Sequence, residues 1–549
     1  MKKYLFSLVF SISLLMPSAA MAQTAVRITP AERKIAETIK ADRLSNWLHF
    51  IASDAMAGRD TPSQGLDVTA EFLKMKLSRW GFKPAGDNGT YFQKMTLKVE
   101  SVGPANNSIR IGDESYALNS DFFRMGGDGS ANAEMVFAGH GWMVRSKDID
   151  AYRGVDVKGK VVVLYDVGMP SRANLTPMPA GVTNADLSGT KGTDWADPVT
   201  YASQSGAVGI VLVASPGANS AWGQLRNLFS RGGMYVEGLR ERPASNLPVV
   251  MVSSRVGDAI FTGQPAGRES SKAFAIDRTI SLAVGVTTET KYTQNVVALW
   301  EGGDPVLKNE MVAIGAHYDH VGVNPNVPGD DKIFNGADDD GSGTVGTLAI
   351  AEALAMSKVR PKRSILLVWH AGEEKGLWGA EYFNKFPTVD IKQVIAQLNI
   401  DMIGRSKDPN NLIPCDQSRK PCNDELTQKN EVYVIGSEMM STTLGQVTRG
   451  TNTAYERLDY NYKYDDPLDK NRFFFRSDHF HYAVNGIPVV FWFSGVHEDY
   501  HGPGDHADKI DYHKLEKITR TIFLTMWKLA DLKERPQVDK KLPPELSRR

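Results

Sequence analysis

The sequence has only two cysteines, Cys415 and Cys422, among 549 residues. Two cysteines cannot form a zinc ribbon, which needs a second C-x-x-C pair, nor a disulfide-rich scaffold. No internal run of about 18 apolar residues occurs, so no membrane span is expected. Lys and Arg number 63 against 64 Asp and Glu, a net charge of −1. That balance lacks the basic surplus a nucleic-acid partner would require. No repeat with a 20–50-residue period and no low-complexity tract is present, and there is no G-x-S-x-G nucleophile elbow. Histidine is scarce in the first half of the chain. Nine of the eleven histidines lie at or after His317, and this clustering becomes informative below.

What is present begins at the N-terminus. MKKYLFSLVFSISLLMPSAAMAQ has two lysines, an apolar stretch and small residues ending in Ala-Met-Ala. This reads as a secretory signal over residues 1–22, cut after Ala22, and implies a periplasmic or secreted protein. In that oxidising compartment a Cys415–Cys422 disulfide closing a small surface loop is expected. The chain is too long for one core, so several domains are expected.

Residues 23–125 read as an N-terminal helical segment. One helix is predicted in ITPAERKIAETIKADRLSNWLHFIAS, with Thr29 as N-cap and Glu32 completing a capping box. A second is predicted in GLDVTAEFLKMKLSRWGF, with Val68, Phe72, Leu73 and Leu77 on one face and Gly81 as its stop. SIRIGDESYAL reads as a hairpin. Residues 126–282 carry short β-rich runs between Gly, Pro and Ser-rich loops, and read as a separate, mostly-β module. From 283 to 535 continuous apolar runs such as MVAIGAH, SILLVWH, VIAQLNI and IPVVFWF alternate with helical stretches. The pattern predicts an α/β domain with a mixed, mostly parallel sheet and helices on both faces. Residues 536–549 form a tail.

The densest signal is NGADDDGSGTVG at 335–346. Three consecutive carboxylates, Asp338, Asp339 and Asp340, repel one another by on the order of 1 kcal/mol per pair even in water. A solvated loop tolerates that; a buried one needs a cation. Other metal-ligating residues fall at the ends of the predicted strands, where open α/β sheets build their sites. MVAIGAHYDH ends in His317 and Asp319, SILLVWHAGEE in Glu373 and Glu374, VIAQLNIDMIG in Asp401, and the last strand runs into a loop with His497 and His501. Imidazole and carboxylate together suit zinc. Two zinc ions about 3.5–4 Å apart need a bridging carboxylate, and the Asp cluster can supply it. Gly341, Gly343 and Gly346 match G-x-G-x-x-G, but no apolar strand precedes them, so a dinucleotide fingerprint does not fit. The aspartates are consecutive rather than alternating, so an EF-hand does not fit either.

GAHYDH, NGADDDGSG, HAGEEKGLWGAEYF, LNIDMIGR and YHGPGDHADKID resemble, in order and spacing, the motifs of the co-catalytic dizinc exopeptidases. That family includes secreted bacterial aminopeptidases, glutamate carboxypeptidases and glutaminyl cyclases. The resemblance covers roughly 285–535, and VKGKVVVLYD with YASQSGAVGIVLVAS resembles an inserted protease-associated domain. It implies two Zn²⁺ ions per chain. His317 and Asp401 would hold one, Glu374 and His501 the other, and Asp339 would bridge them. Asp319 would orient His317, Glu373 would be general base and proton shuttle, and Tyr500 would stabilise the oxyanion. The implied reaction is hydrolysis of N-terminal residues from peptides with a free amine, by a water bridging the two metals. The departure from the family pattern is Gly502, where YHTP is usual. His320, His497 and His506 are expected around the site or at the surface, His370 in the core, and Asp338 and Asp340 on backbone N–H groups. A carboxypeptidase or dipeptidase of the same fold remains an alternative, because Arg405, Arg457, Arg472 and Arg476 could bind a substrate carboxylate. A non-catalytic binding protein would show a missing ligand, and none is missing.

Overall fold

The computed structural model describes residues 26–546 apart from 166–167, 171–173, 231, 241–245, 411, 414–421, 424 and 543–545. The signal segment 1–22 and Cys415, hence the expected disulfide, lie outside the described residues. No helix among the described residues is long and apolar enough to cross a membrane.

The chain divides into two compact units. One comprises Met1–Gln93 with Asn295–Arg549, the other Lys94–Gln294. The second unit is thus wider than the 126–282 expected. Its outer strand Ser108–Ile111 pairs antiparallel with Phe274–Val284, and that pairing draws the 108–118 hairpin into this unit and away from the N-terminal helices.

In the first unit the fold is mixed α/β. Four neighbouring strands run parallel: Ser364–His370, Met311–His317, Val394–Ile400 and Val489–Phe493. Antiparallel strands flank them, Thr287–Trp300 on one side and Glu431–Ile435 on the other. Every residue of the four parallel strands is buried, which explains their continuous apolar character. Side chains alternate across a strand. Ala313, Leu366 and Val368 gather with Phe383 and Tyr482 from the helices Trp378–Lys385 and His479–Val484. Val312 and Ile314 alternate with them and are equally buried. Helices Gly343–Met356 and Tyr512–Ala530 pack on that same strand, so both faces of the sheet are covered.

The N-terminal segment departs from expectation in two places. The first predicted helix is two helices, Pro30–Ala36 and Ala41–Ile51. The capping box at Thr29 and Glu32 forms. The break comes where Thr38 turns its hydroxyl onto the Ile35 carbonyl, at 2.6 Å, and buried Ile39 follows. The helix Gln64–Arg79 buries Leu66, Thr69, Ala70, Leu73 and Leu77, while Val68 is exposed. Its inner face is rotated from the one predicted. Gly81, with φ +79°, follows its end.

The second unit holds an eight-stranded sheet. Its centre, Gly129–Phe137, Val161–Tyr165, Gly209–Val213 and Val249–Val252, is parallel. Four short helices, Pro198–Gln204, Pro216–Ser220, Trp222–Phe229 and Ser254–Phe261, lie between or after these strands. The module is therefore richer in helix than its β-rich runs suggested.

Candidate metal centre

Because the four central strands are parallel and adjacent, their C-terminal ends share one rim. His317 is the last residue of its strand, Asp401 follows the next, and Glu373 and Glu374 lie just beyond a third. His501 sits in the loop after Val489–Phe493, with φ +50°. Asp339 comes from the turn just before the helix Gly343–Met356.

The two oxygens of Asp339 face in different directions. Oδ1 is 3.2 Å from His317 Nε2, and that nitrogen is 3.6 Å from Asp401 Oδ1. Oδ2 is 3.1 Å from His501 Nε2, and that nitrogen is 2.9 Å from Glu374 Oε2. One carboxylate therefore joins two donor groups, His317–Asp339–Asp401 and Asp339–Glu374–His501. Glu373 Oε2 lies 3.9 Å from His317 Nε2.

Charge makes the same point. Burial would raise the Asp339 carboxyl, but His317 and His501 outweigh it and hold the group well below the usual carboxylate range. Burial would lower His501, yet Asp339 and Glu374 push its imidazole up to about 10. His317 is likewise held well above its usual value, burial being overcome by Glu373 and Asp401. Burial drives Glu373 well above the ordinary range, and Glu374 and Asp401 add to the rise while His317 opposes it. Asp401 Oδ1 and Glu374 Oε1 are buried without a hydrogen-bond partner. Convergent carboxylates and imidazoles with orphaned oxygens fit a pair of zinc ions, whose ligand chemistry is imidazole nitrogen and carboxylate oxygen.

A second layer holds the donors. Ser477 Oγ donates to Asp401 Oδ2 at 2.7 Å and accepts from Asn399 Nδ2 at 2.8 Å. Asp338 Oδ1 accepts the Gly404 N–H, and Asp340 Oδ1 those of Gly343 and Met402. Asp505 accepts the N–H groups of Asp338 and Asp339. His317 Nδ1 is 3.1 Å from the main-chain oxygen of Asp319 and 3.7 Å from its carboxylate. The orienting acceptor is thus the Asp319 carbonyl first and its side chain second. The Asp319 carboxylate instead takes the Thr61 hydroxyl and the Glu373 N–H. Arg59 is fully buried and donates to the carbonyls of Ile51, Tyr318, Asn335 and Gly336. It ties the N-terminal segment to the two loops that carry His317 and Asp339.

Tyr500 stacks on His501 with ring centroids 4.0 Å apart. Burial, reinforced by Asp339, keeps its phenol well above the usual range, so it remains a donor at neutral pH. His370 lies in the core, against Asp478 and the Tyr482 hydroxyl. His506 pairs with Asp331 near the surface. The expectation from sequence was that no H-E-x-x-H occurs, and this is corrected here: residues 497–501, HEDYH, spell that pattern. That pattern needs a helix to place both imidazoles on one metal. Here the stretch is a turn, His497 faces Asp338 at 3.5 Å, and Glu498 pairs with Arg405. His320 was not expected among the donors. It is fully buried and its Nδ1 lies 2.8 Å from Glu374 Oε1.

A pocket opens beside Glu373 and Asp401. Its walls are Met402, Phe473, Phe491, Phe493 and Val496, with Arg476 and Tyr500 also lining it.

Residues 295–526 match the profile described as peptidase family M28. Among relatives, the chain is 29% identical over 218 residues to the "probable leucine aminopeptidase 2" of Aspergillus oryzae, covering 40% of this chain and 36% of that protein. It is 32% identical over 131 residues to leucine aminopeptidase 2 of Trichophyton rubrum, covering 24% and 23%. The chain thus spans less than two fifths of the length of either relative. Among solved structures, an aminopeptidase from Aneurinibacillus sp. strain AM-1 aligns over 94% of this chain and 98% of that one, at 18% identity and a TM-score of 0.47.

Proposed function

We propose that this protein is a secreted or periplasmic aminopeptidase that removes N-terminal residues from peptides. The observation that carries the reading is the shared carboxylate of Asp339, which sets two donor groups side by side with Glu373 next to them. Two zinc ions held by His317, Asp339 and Asp401, and by Asp339, Glu374 and His501, would supply Lewis acidity and make water acidic enough to ionise near neutral pH.

The protein's own groups do the rest. Glu373, with a carboxyl raised by burial, takes the proton from the attacking water and gives it to the leaving amine. Asp319 fixes the main chain of that glutamate. Tyr500, protonated at neutral pH, offers its hydroxyl to the developing oxyanion. The apolar pocket walls receive the side chain of the first residue and favour apolar ones. The free amine is drawn to the carboxylates of the same rim. The unit Lys94–Gln294 is, on this reading, a protease-associated module.

Leucine amide and its N-acetyl derivative test the requirement for an amine. The reading expects hydrolysis of the first only. A second reading, carboxypeptidase action, draws on Arg476, which lines the pocket and could hold a substrate carboxylate. It predicts cleavage of N-acetylated peptides.

A further inference from the structure

His320 is fully buried, and neither of its ring nitrogens has a hydrogen-bond partner. Leaving a buried polar atom without a partner is costly, so a histidine with both nitrogens orphaned calls for an explanation. Its Nδ1 lies 2.8 Å from Glu374 Oε1 and 3.8 Å from Asp339 Oδ2. Glu374 Oε1 is likewise buried and without a hydrogen-bond partner. Two buried lone-pair atoms this close together suit a shared cation, imidazole nitrogen and carboxylate oxygen both being zinc donors. The His320 and His501 rings stand edge to face at 5.6 Å, on two sides of the same carboxylates.

We propose that His320 Nδ1 is a further protein donor to the metal held by Asp339, Glu374 and His501. This rests on the two-metal reading above and deepens it. A tetrahedral zinc with bonds of about 2.0–2.1 Å has donors about 3.3 Å apart. His320 Nδ1 lies 2.8 Å from Glu374 Oε1 and 3.8 Å from Asp339 Oδ2, and His501 Nε2 lies 2.9 Å from Glu374 Oε2 and 3.1 Å from Asp339 Oδ2, so each imidazole stands near that value from both carboxylates. The two positions then differ in kind. The one at His317, Asp339 and Asp401 has three protein donors and keeps a coordination place open, as catalytic zinc does. The one with His320 has four protein donors. The second metal is therefore held more tightly, and the first is the more exchangeable.

The test is competition for zinc between the full mature protein and chelators of graded strength, with zinc counted per chain, for wild type and His320→Gln. Wild type should release its two zinc ions in two separated steps. His320→Gln should bring the tighter step down by about 10–100-fold or more in dissociation constant and leave the weaker step in place. Two zinc ions released by the variant at wild-type chelator strengths overturn the inference alone. A wild type that never takes up two zinc ions overturns the two-metal reading beneath it. Should the variant fail to fold, nitrogen-15 NMR of histidine-labelled wild type decides. Zinc must move three imidazoles, those of His317, His320 and His501; an unmoved His320 resonance overturns the inference.

Discussion

The carboxylate of Asp319 accepts the backbone N–H of Glu373 at 3.1 Å, while its main-chain carbonyl takes the Nδ1 side of His317. One residue therefore spaces a metal ligand from the glutamate assigned as base. The buried Asp319 joins them through its carboxylate on one side and its carbonyl on the other, and that sets what changing each should do.

Glu373→Gln keeps the shape and the N–H contact but cannot accept a proton. The turnover number should fall by about 10²–10⁴-fold, the usual worth of a positioned general base, with zinc content unchanged. Steady-state kinetics beside metal analysis checks this. Near-normal turnover would remove Glu373 from its role.

Zinc uptake should release protons. In the metal-free protein His501 stands at about 10, because Asp339 and Glu374 outweigh burial, and His317 is also held well above its usual value. Both are protonated at pH 7–8, and both must be neutral to bind metal. Zinc affinity should therefore rise with pH over the range below about 10. Titration calorimetry in buffers of differing ionisation enthalpy reads the protons directly. Heats that do not depend on the buffer would contradict the donor assignment.

Arg59→Met should destabilise the protein by about 3 kcal/mol or more, since it strands several buried carbonyls at about 1–3 kcal/mol each. The guanidinium remains charged, being pulled only to about 10 by burial against Asp505 and Asp319. Denaturant melts with zinc and with chelator test it. A change under about 1 kcal/mol in both would show that the clamp is dispensable.

Lys514 gives a pH signature away from the metal site. Burial pulls its amine down to about 7, with Asp338 and Asp511 opposing, and it donates to Arg405 O and Thr427. A lysine depressed in the folded state contributes stability that is full above its unfolded value near 10.5 and is lost as pH falls to about 7. Relative to Lys514→Met, wild type should therefore gain stability as pH rises from about 7 to about 10.5. Parallel urea melts across that range check the slope; a flat difference would contradict it.

The sheet and part of the site were legible because His317, Glu373, Glu374 and Asp401 lie at or just beyond the ends of continuous apolar runs. MVAIGAH into YDH and SILLVWH into AGEE mark a strand and the residue at its rim together. The supports were not legible. Arg59 and Thr61 lie about 260 residues before the groups they hold, in a stretch whose pattern speaks only of helices and turns. Nothing in the sequence marks Asp505, which caps the N–H groups of Asp338 and Asp339. His320 follows Asp319 directly, and only the fold shows that it turns toward Glu374. The break between Glu37 and Lys40 escaped because neither proline nor glycine marks it. The H-E-x-x-H spelling at 497–501 shows the reverse case, a pattern without the helix that gives it meaning.

The most direct measurement is mass spectrometry of an unblocked peptide mixture and its N-acetylated copy after incubation with the zinc-loaded protein. The account predicts stepwise loss from the free N-terminus alone, fastest at apolar residues, with the acetylated copy intact. Loss from the C-terminus in both copies, or no cleavage of either, would contradict it.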